Sequence, residues 1–178
     1  MTRSRRTKKP VFLQKIGAAV AVAVQEGVVV QTEPYLLHEK PAAYYLVPTK
    51  LTECSEEMCS HATNAVRYAS PEPFIQALCL MHAVHAHLIY TPCLTTTSTS
   101  AKDVFKDPRG VCQDYAHLMI ALCRALGLHA RYVNGFISGE GQTHAWVEVS
   151  DGQTWRAYDP THDNTPIWGY VKIAHGRD

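Results

Sequence analysis

A cysteine, a histidine and an aspartate in the last third of the chain have residue types suited to thiol chemistry. Cys112 lies just after Gly110, at the beginning of a segment whose apolar spacing is typical of a helix. The unpaired N–H groups and the positive dipole end of a helix N-terminus stabilise a thiolate, and they can also hold an oxyanion. Cys112 is therefore the predicted nucleophile. Gly110 is expected to leave room for a substrate backbone, and Gln113 is either an oxyanion contributor or a surface amide.

His144 and Asp159 lie on two strand-like segments that flank Asp151-Gly152, a favoured two-residue turn. If Ser150 pairs with Gln153, His144 falls directly opposite Asp159, where Cβ atoms are roughly 5 Å apart on one face. The turn therefore predicts a hydrogen bond between the aspartate and the imidazole. A slip by one residue would break this pairing.

Trp146 shares the predicted sheet face of His144 and is expected to line the site. A helix packed on this face would bring Cys112 to His144 and complete a Cys-His-Asp set. In that set Cys112 is the nucleophile, His144 the general base, and Asp159 the group that orients the histidine.

The elements that must hold these residues follow from the spacing of apolar and turn-forming residues. Helices are predicted over 55–68, 70–91 and 111–126, the last of them closed by Gly127, and a Thr/Ser-rich loop is predicted over 93–109. Strands are predicted at about 129–137, 143–149 and 154–159. Helices followed by antiparallel strands indicate an α+β domain.

The N-terminal third differs from the rest in charge and in pattern. Residues 1–10 are a basic tail, 11–50 a short β segment with an extended connector, and 51–178 the predicted catalytic domain. Six basic residues precede the first acid, which leaves 11 basic and 16 acidic residues beyond them, a net charge of −5. Since the basic residues lie in a tail and not on the fold, we do not expect nucleic-acid binding. No apolar run approaches the roughly 18 residues that a membrane span needs.

Three ordered segments closely resemble the motifs of the bacterial transglutaminase-like superfamily. They are residues 110–117, 144–149 and 159–161, and the resemblance covers roughly residues 45–178. It implies a papain-like core in which the helix bearing the nucleophile packs on an antiparallel β-sheet. It also implies the nucleophile, base and orienting roles for Cys112, His144 and Asp159. His162 stands where that family often has asparagine.

The expected function is thiol-dependent acyl transfer at amide bonds, by a cysteine peptidase or amide hydrolase that acts on a peptide or protein substrate. Two alternatives are a protein-glutamine transglutaminase with an amine acceptor and a non-catalytic binding module with a papain-like cleft. No cofactor and no metal are expected, because His82, His85 and His87 lack acidic or cysteine neighbours at ligand spacing. For Tyr90, core and cleft positions are both open.

The other chemistry-bearing residues have structural interpretations. His117 lies three residues after Asp114, so a hydrogen bond between them within the helix is expected. The six cysteines are expected to be reduced and mostly structural, which favours a cytoplasmic protein. Export is the alternative if residues 1–24, basic and then apolar, act as a signal peptide.

Overall fold

The computed structural model describes residues 22–25, 28–31 and 40–178. The chain divides into two units, Met1–Glu39 and Lys40–Asp178. In the first unit, β1 (Val22–Gln25) and β2 (Val28–Gln31) form an antiparallel pair. This confirms the β-strands predicted within residues 11–32. The basic tail, residues 11–21, residues 26–27 and residues 32–39 lie outside the described residues.

The second unit begins with helices. They are a 3-10 helix (Ala42–Leu46), α1 (Glu56–Ala65), α2 (Pro73–His87), α3 (Ala101–Lys106) and α4 (Cys112–Ala125). Helix α4 is the central element, since residues 114–124 are all buried, and it packs against the other three α-helices and the sheet. The helix predicted over 111–126 is confirmed to within one residue at each end, and Gly127, the predicted closing residue, has φ of +77°.

The sheet has four antiparallel strands in the order β7-β6-β5-β8. They are β5 (His129–Ile137), β6 (Thr143–Ser150), β7 (Trp155–Tyr158) and β8 (Tyr170–Gly176). The three predicted strands are confirmed, and the α+β class with them. Strand β8 was not predicted. It is an edge strand without a fully buried residue, so its sequence lacks an apolar run like Ala145-Trp146-Val147 in β6.

Two short segments correct the sequence prediction. Within the predicted extended connector, residues 42–46 form the 3-10 helix. Arg124, far along the chain, stabilises it, because its Nε donates to the carbonyl oxygen of buried Tyr45 at 2.8 Å. Within the predicted loop, α3 is nucleated by a reciprocal cap. Ser100 Oγ accepts from Asp103 N at 3.3 Å and Asp103 Oδ2 accepts from Ser100 N at 3.0 Å.

Helix α2 also differs from the prediction at both ends. It begins at Pro73, not at Pro71, with Glu72 as the N-cap, and it ends at His87. After α2 comes β3 (Ile89–Tyr90), which pairs in parallel with β4 (Arg109–Gly110). This short pair fixes the chain just before Cys112. Among the described residues no helix is long and apolar enough to span a membrane.

Candidate active site

The start of α4 is held by a buried carboxylate. Asp114 Oδ2 accepts hydrogen bonds from Val111 N at 2.8 Å and from Thr95 Oγ1 at 2.6 Å, and the residue has no exposed surface. A Cβ atom on Gly110 would lie 2.6 Å from the same oxygen. The Asp114 carboxylate therefore leaves no room for a side chain at position 110.

Cys112 and Gln113 occupy the first two positions of α4, so their backbone N–H groups have no acceptor within the helix. These N–H groups are positioned to hold negative charge that develops beside the Cys112 sulfur. The Gln113 side chain is engaged elsewhere, because its Nε2 donates to the Thr96 carbonyl oxygen at 3.3 Å. It links the Thr/Ser segment to the helix start.

The hairpin that carries the histidine and the aspartate has a different register from the predicted one. Ser150 pairs with Trp155, and four residues form the turn where two were predicted. Asp151 lengthens the turn because its Oδ1 accepts from the backbone N–H groups of Gln153, at 2.9 Å, and Thr154, at 2.8 Å. The predicted pairing of Ser150 with Gln153 is therefore wrong by two residues.

The predicted contact survives this error because side chains alternate with a period of two along a strand. A shift by two residues keeps Asp159 on the face of His144 and moves it from the directly opposite position to a diagonal one. The predicted hydrogen bond is confirmed, with His144 Nε2 2.7 Å from Asp159 Oδ2. Both side chains are buried.

The Asp159 carboxylate has two further side-chain partners that sequence reasoning missed. Its Oδ2 accepts from Tyr170 Oη at 2.6 Å and from His162 Nδ1 at 2.8 Å, while Oδ1 accepts from Thr161 N at 2.9 Å. Burial alone would raise the pKa of Asp159, but the hydrogen bonds from His144 and Tyr170 outweigh it and lower the pKa to about 2. Asp159 is thus a stable anion at neutral pH.

His144 is hydrogen-bonded to this carboxylate, and it lies close enough to Cys112 for that side chain to shift its pKa. Burial by itself lowers the pKa of His144. The hydrogen bond with Asp159 and the nearby Cys112 act in the opposite direction, and together they raise the pKa to about 9. With Nε2 directed at Asp159, Nδ1 is the ring nitrogen left for the thiol.

Trp146 packs beside His144. It is buried, and its ring stacks on the imidazole with centroids 6.3 Å apart and planes at 21°. Tyr170 meets the indole edge-on at 5.3 Å. Gly135 pairs with His144 across β5 and β6, and a Cβ there would approach the Trp146 ring to 2.5 Å and collide with the Val171 carbonyl oxygen.

The exposure of Tyr90 shows whether it is a core residue. The residue is 53% exposed, which excludes a core position. Burial and the negative charge of Cys112 both raise its pKa, so the phenol lies close enough to the cysteine to sense its charge. Tyr90 is therefore a surface residue, and its ring lies beside that of Tyr115 with centroids 6.4 Å apart.

Three histidines of α2 have structural contacts. On α2, His82 Nδ1 lies 2.5 Å from Asp163 Oδ1 and His85 Nδ1 lies 3.1 Å from the Pro160 oxygen, so both hold the segment that follows Asp159. His87 Nε2 lies 3.0 Å from the Phe105 carbonyl oxygen instead.

Within the described residues, Asp114 and His117 do not form the predicted hydrogen bond with each other. Asp114 Oδ1 and His117 Nδ1 are both buried without a hydrogen-bond partner. The Asp114 carboxylate is occupied through Oδ2 by the helix start, and the His117 ring packs against Tyr132 with centroids 5.2 Å apart. Tertiary packing thus overrides the local i, i+3 expectation.

The residues that could hold a metal ion are His144, Asp159 and His162, whose ligand atoms lie within 4.8 Å of one another. Two histidines and a carboxylate are a donor set that suits zinc and related divalent ions. In the structure the three side chains form hydrogen bonds with each other. This network already accounts for their proximity.

Comparison with known proteins identifies relatives of this arrangement. The family description "Transglutaminase-like superfamily" matches residues 60–160, a range that includes Cys112, His144 and Asp159. A protein of Mycobacterium leprae is 30% identical over 149 residues, which cover 78% of this chain and 50% of the relative. A protein-glutamine gamma-glutamyltransferase of Pseudomonas aeruginosa is 32% identical over 114 residues, 56% of this chain and 17% of that protein.

A solved structure from Cytophaga hutchinsonii, provisionally described as a cysteine protease, has the same core. It superposes with a TM-score of 0.69 at 31% identity, over 83% of this chain and 50% of that one. The predicted fold is therefore confirmed as an α+β core of the papain-like, transglutaminase type. The chain spans about half the length of the M. leprae relative and of this structure.

Proposed function

The chain belongs to the transglutaminase-like superfamily, and we propose that it is an enzyme that transfers acyl groups from amides through a thioester on Cys112. Members of this superfamily are generally enzymes. The observation that carries the proposal is the hydrogen bond of His144 Nε2 to Asp159, together with the proximity of Cys112, which raises the pKa of the same histidine. A nucleophile, a base and a group that orients the base are what thiol catalysis requires.

The proposed reaction begins when His144 takes the proton of Cys112 and the thiolate attacks the carbonyl carbon of a bound amide. The tetrahedral oxyanion is stabilised by the N–H groups of Cys112 and Gln113 at the start of α4. The C–N bond then breaks, and the amine leaves with the proton that His144 returns. A thioester on Cys112 remains. Asp159 keeps the imidazole in the tautomer and orientation that both proton transfers need.

The second half of the proposed reaction resolves the thioester. Water, deprotonated by His144, attacks the acyl carbon, and the acid product leaves as the Cys112 thiol is restored. We propose hydrolysis of a peptide or protein amide as the main reaction. Capture of the acyl group by a primary amine is the second candidate, since a relative is named as a protein-glutamine gamma-glutamyltransferase.

Alkylation of the individual cysteines by iodoacetamide tests the proposed nucleophile without a known substrate. Exposed Cys93 serves as the internal reference for an ordinary thiol. At pH 6 a thiol with the usual pKa of about 8.5 is less than about 1% ionised, so a Cys112 thiolate held by His144 should react at least about tenfold faster than Cys93. Mass spectrometry of the peptides gives each rate.

Two histidine variants make this measurement specific. His144→Ala should reduce the rate at Cys112 to that of Cys93, whereas His82→Ala, which removes an exposed histidine paired with Asp163, should leave it unchanged. If Cys112 in the wild-type protein reacts no faster than Cys93, the enzyme proposal fails and a non-catalytic cleft is favoured.

Hydrolysis and transamidation are distinguished by their products. The protein is incubated with a library of glutamine-containing peptides, with and without a primary amine, and products are identified by mass. Hydrolysis gives free acids in both cases, while transamidation gives amine adducts that replace them. Cys112→Ala should abolish both. Adducts that dominate at millimolar amine would overturn our choice of hydrolysis.

A further inference from the structure

Two cysteines lie on either side of the start of helix α1, at positions that often hold a pair of contacting apolar side chains. Ser55 is the N-cap, and its Oγ accepts from Met58 N at 3.3 Å. Cys54 therefore occupies the position before the cap, and Cys59 occupies the fourth position of the helix. Side chains at these two positions commonly contact each other and fix the angle at which the chain enters the helix. In this protein the contacting pair consists of two thiols.

The contact between these thiols is close. The Sγ atoms of Cys54 and Cys59 lie 3.3 Å apart, and both residues are partly buried. A disulfide requires about 2.05 Å between the sulfur atoms, so they need to approach by little more than about 1 Å. The helix cap fixes the relative positions of both residues, so the sulfur atoms need to move only a short distance.

The surroundings of Cys54 favour its protonated form. Burial raises the pKa of Cys54 to about 12, and the neighbouring Cys59 thiol adds to the effect, although Lys102 opposes it. Cys54 therefore keeps its proton at neutral pH. In the proposal that follows, Cys59 attacks the oxidant first and Cys54 is the resolving thiol.

We propose that Cys54 and Cys59 are a reversible thiol–disulfide modification site that reacts with small-molecule disulfides of the glutathione type. The Cys59 thiolate attacks one sulfur of the small disulfide, whose S–S bond breaks and releases one small thiolate. Cys54, losing its proton, then attacks Cys59 in the mixed disulfide, and the second small thiolate leaves. Two electrons pass from the cysteine pair to the small disulfide, and the two protons leave on the two small thiols. This chemistry is independent of Cys112 and of the proposed acyl transfer.

The test uses the full chain carrying Cys112→Ala, so that its outcome does not depend on the proposed catalytic thiol. The folded protein is incubated with oxidised glutathione, the remaining thiols are alkylated, and the digest is analysed without reduction. We expect the peptide that contains residues 54–59 to be unalkylated and lighter by two hydrogen atoms, and dithiothreitol should restore both alkylation sites. Because the crosslink closes a short loop, the oxidised protein should melt about 5 °C higher than the reduced one.

Two matched variants separate the crosslink from simple glutathionylation. Cys54→Ser removes the resolving thiol, so Cys59 should accumulate a stable mixed disulfide with glutathione. Cys59→Ser removes the attacking thiol, so residue 54 should stay alkylatable. The proposal is overturned if the protein with both cysteines carries glutathione on Cys54 or Cys59 instead of the crosslink, or if both remain alkylatable while exposed Cys93 is oxidised.

Discussion

Replacing Asp159 with asparagine tests the network around the proposed base. The carboxylate accepts from three side chains through Oδ2 and from the backbone of Thr161 through Oδ1. An amide has only one acceptor oxygen. If that oxygen faces His144, the NH₂ group faces the backbone N–H of Thr161, and if the side chain flips, the NH₂ group faces the histidine instead. In either orientation the NH₂ group, a hydrogen-bond donor, faces another N–H donor in a buried site.

The size of the effect follows from the pKa of His144. Its rise from the ordinary value of 6.5 to about 9 corresponds to about 3 kcal/mol of interaction with the protonated ring. A raised histidine pKa stabilises the folded protein fully below about pH 6.5, and this stabilisation is lost as the pH rises through about 9. The removal of one partner from a buried ion pair independently costs about 3–5 kcal/mol. We therefore expect Asp159→Asn to lower the free energy of unfolding by about 3 kcal/mol or more at pH 6.

Urea denaturation of the wild-type protein and the variant, at several pH values between 6 and 10, measures this effect. The stability difference between them should be largest near pH 6 and should narrow above about pH 9, because His144 then loses its proton. Asp163→Asn is the control. Asp163 also pairs with a histidine, His82, but that pair is partly exposed and should contribute less than about 1 kcal/mol. A loss in Asp159→Asn no larger than the control's, or one that does not change with pH, would refute the reasoning.

Three further changes test other contacts. Gly135→Ala should lower the free energy of unfolding, measured by urea denaturation, by about 2–4 kcal/mol, because a Cβ there collides with its neighbours. Gly141→Ala is the control: a Cβ there has nothing within 4 Å, so stability should change by less than about 0.5 kcal/mol. Equal losses in the two variants would contradict the packing. Tyr170→Phe removes a 2.6 Å hydrogen bond to Asp159. This change should lower the free energy of unfolding by about 1–2 kcal/mol. The lowered pKa of Asp159 stabilises the folded protein until the pH falls through about 2, so the variant should unfold in acid at a higher pH than the wild type. An acid-unfolding midpoint equal to that of the wild type would argue against the contact. Arg124→Met leaves three carbonyl oxygens and a threonine hydroxyl without their buried donor and should cost about 3 kcal/mol or more, so a thermally unaltered variant would refute this anchoring role.

The sequence by itself determined the features that depend on short-range chemistry. The start of α4 at Cys112 and its end at Gly127 follow from apolar spacing and from the left-handed conformation that glycine adopts easily. The period of two along a strand placed Asp159 on the face of His144, and this held although the predicted turn was too short. A register error of two residues does not change which face a side chain occupies.

Only the tertiary structure decided which distant groups complete the site. Tyr170 reaches Asp159 from the edge strand β8, whose half-exposed sequence has no strong strand pattern. Gly110 proved to be required by the buried carboxylate of Asp114, a contact that no periodicity encodes. Such contacts depend on where separate elements pack against one another, and that arrangement is set by the burial of the whole core around α4, not by the residues that flank each site.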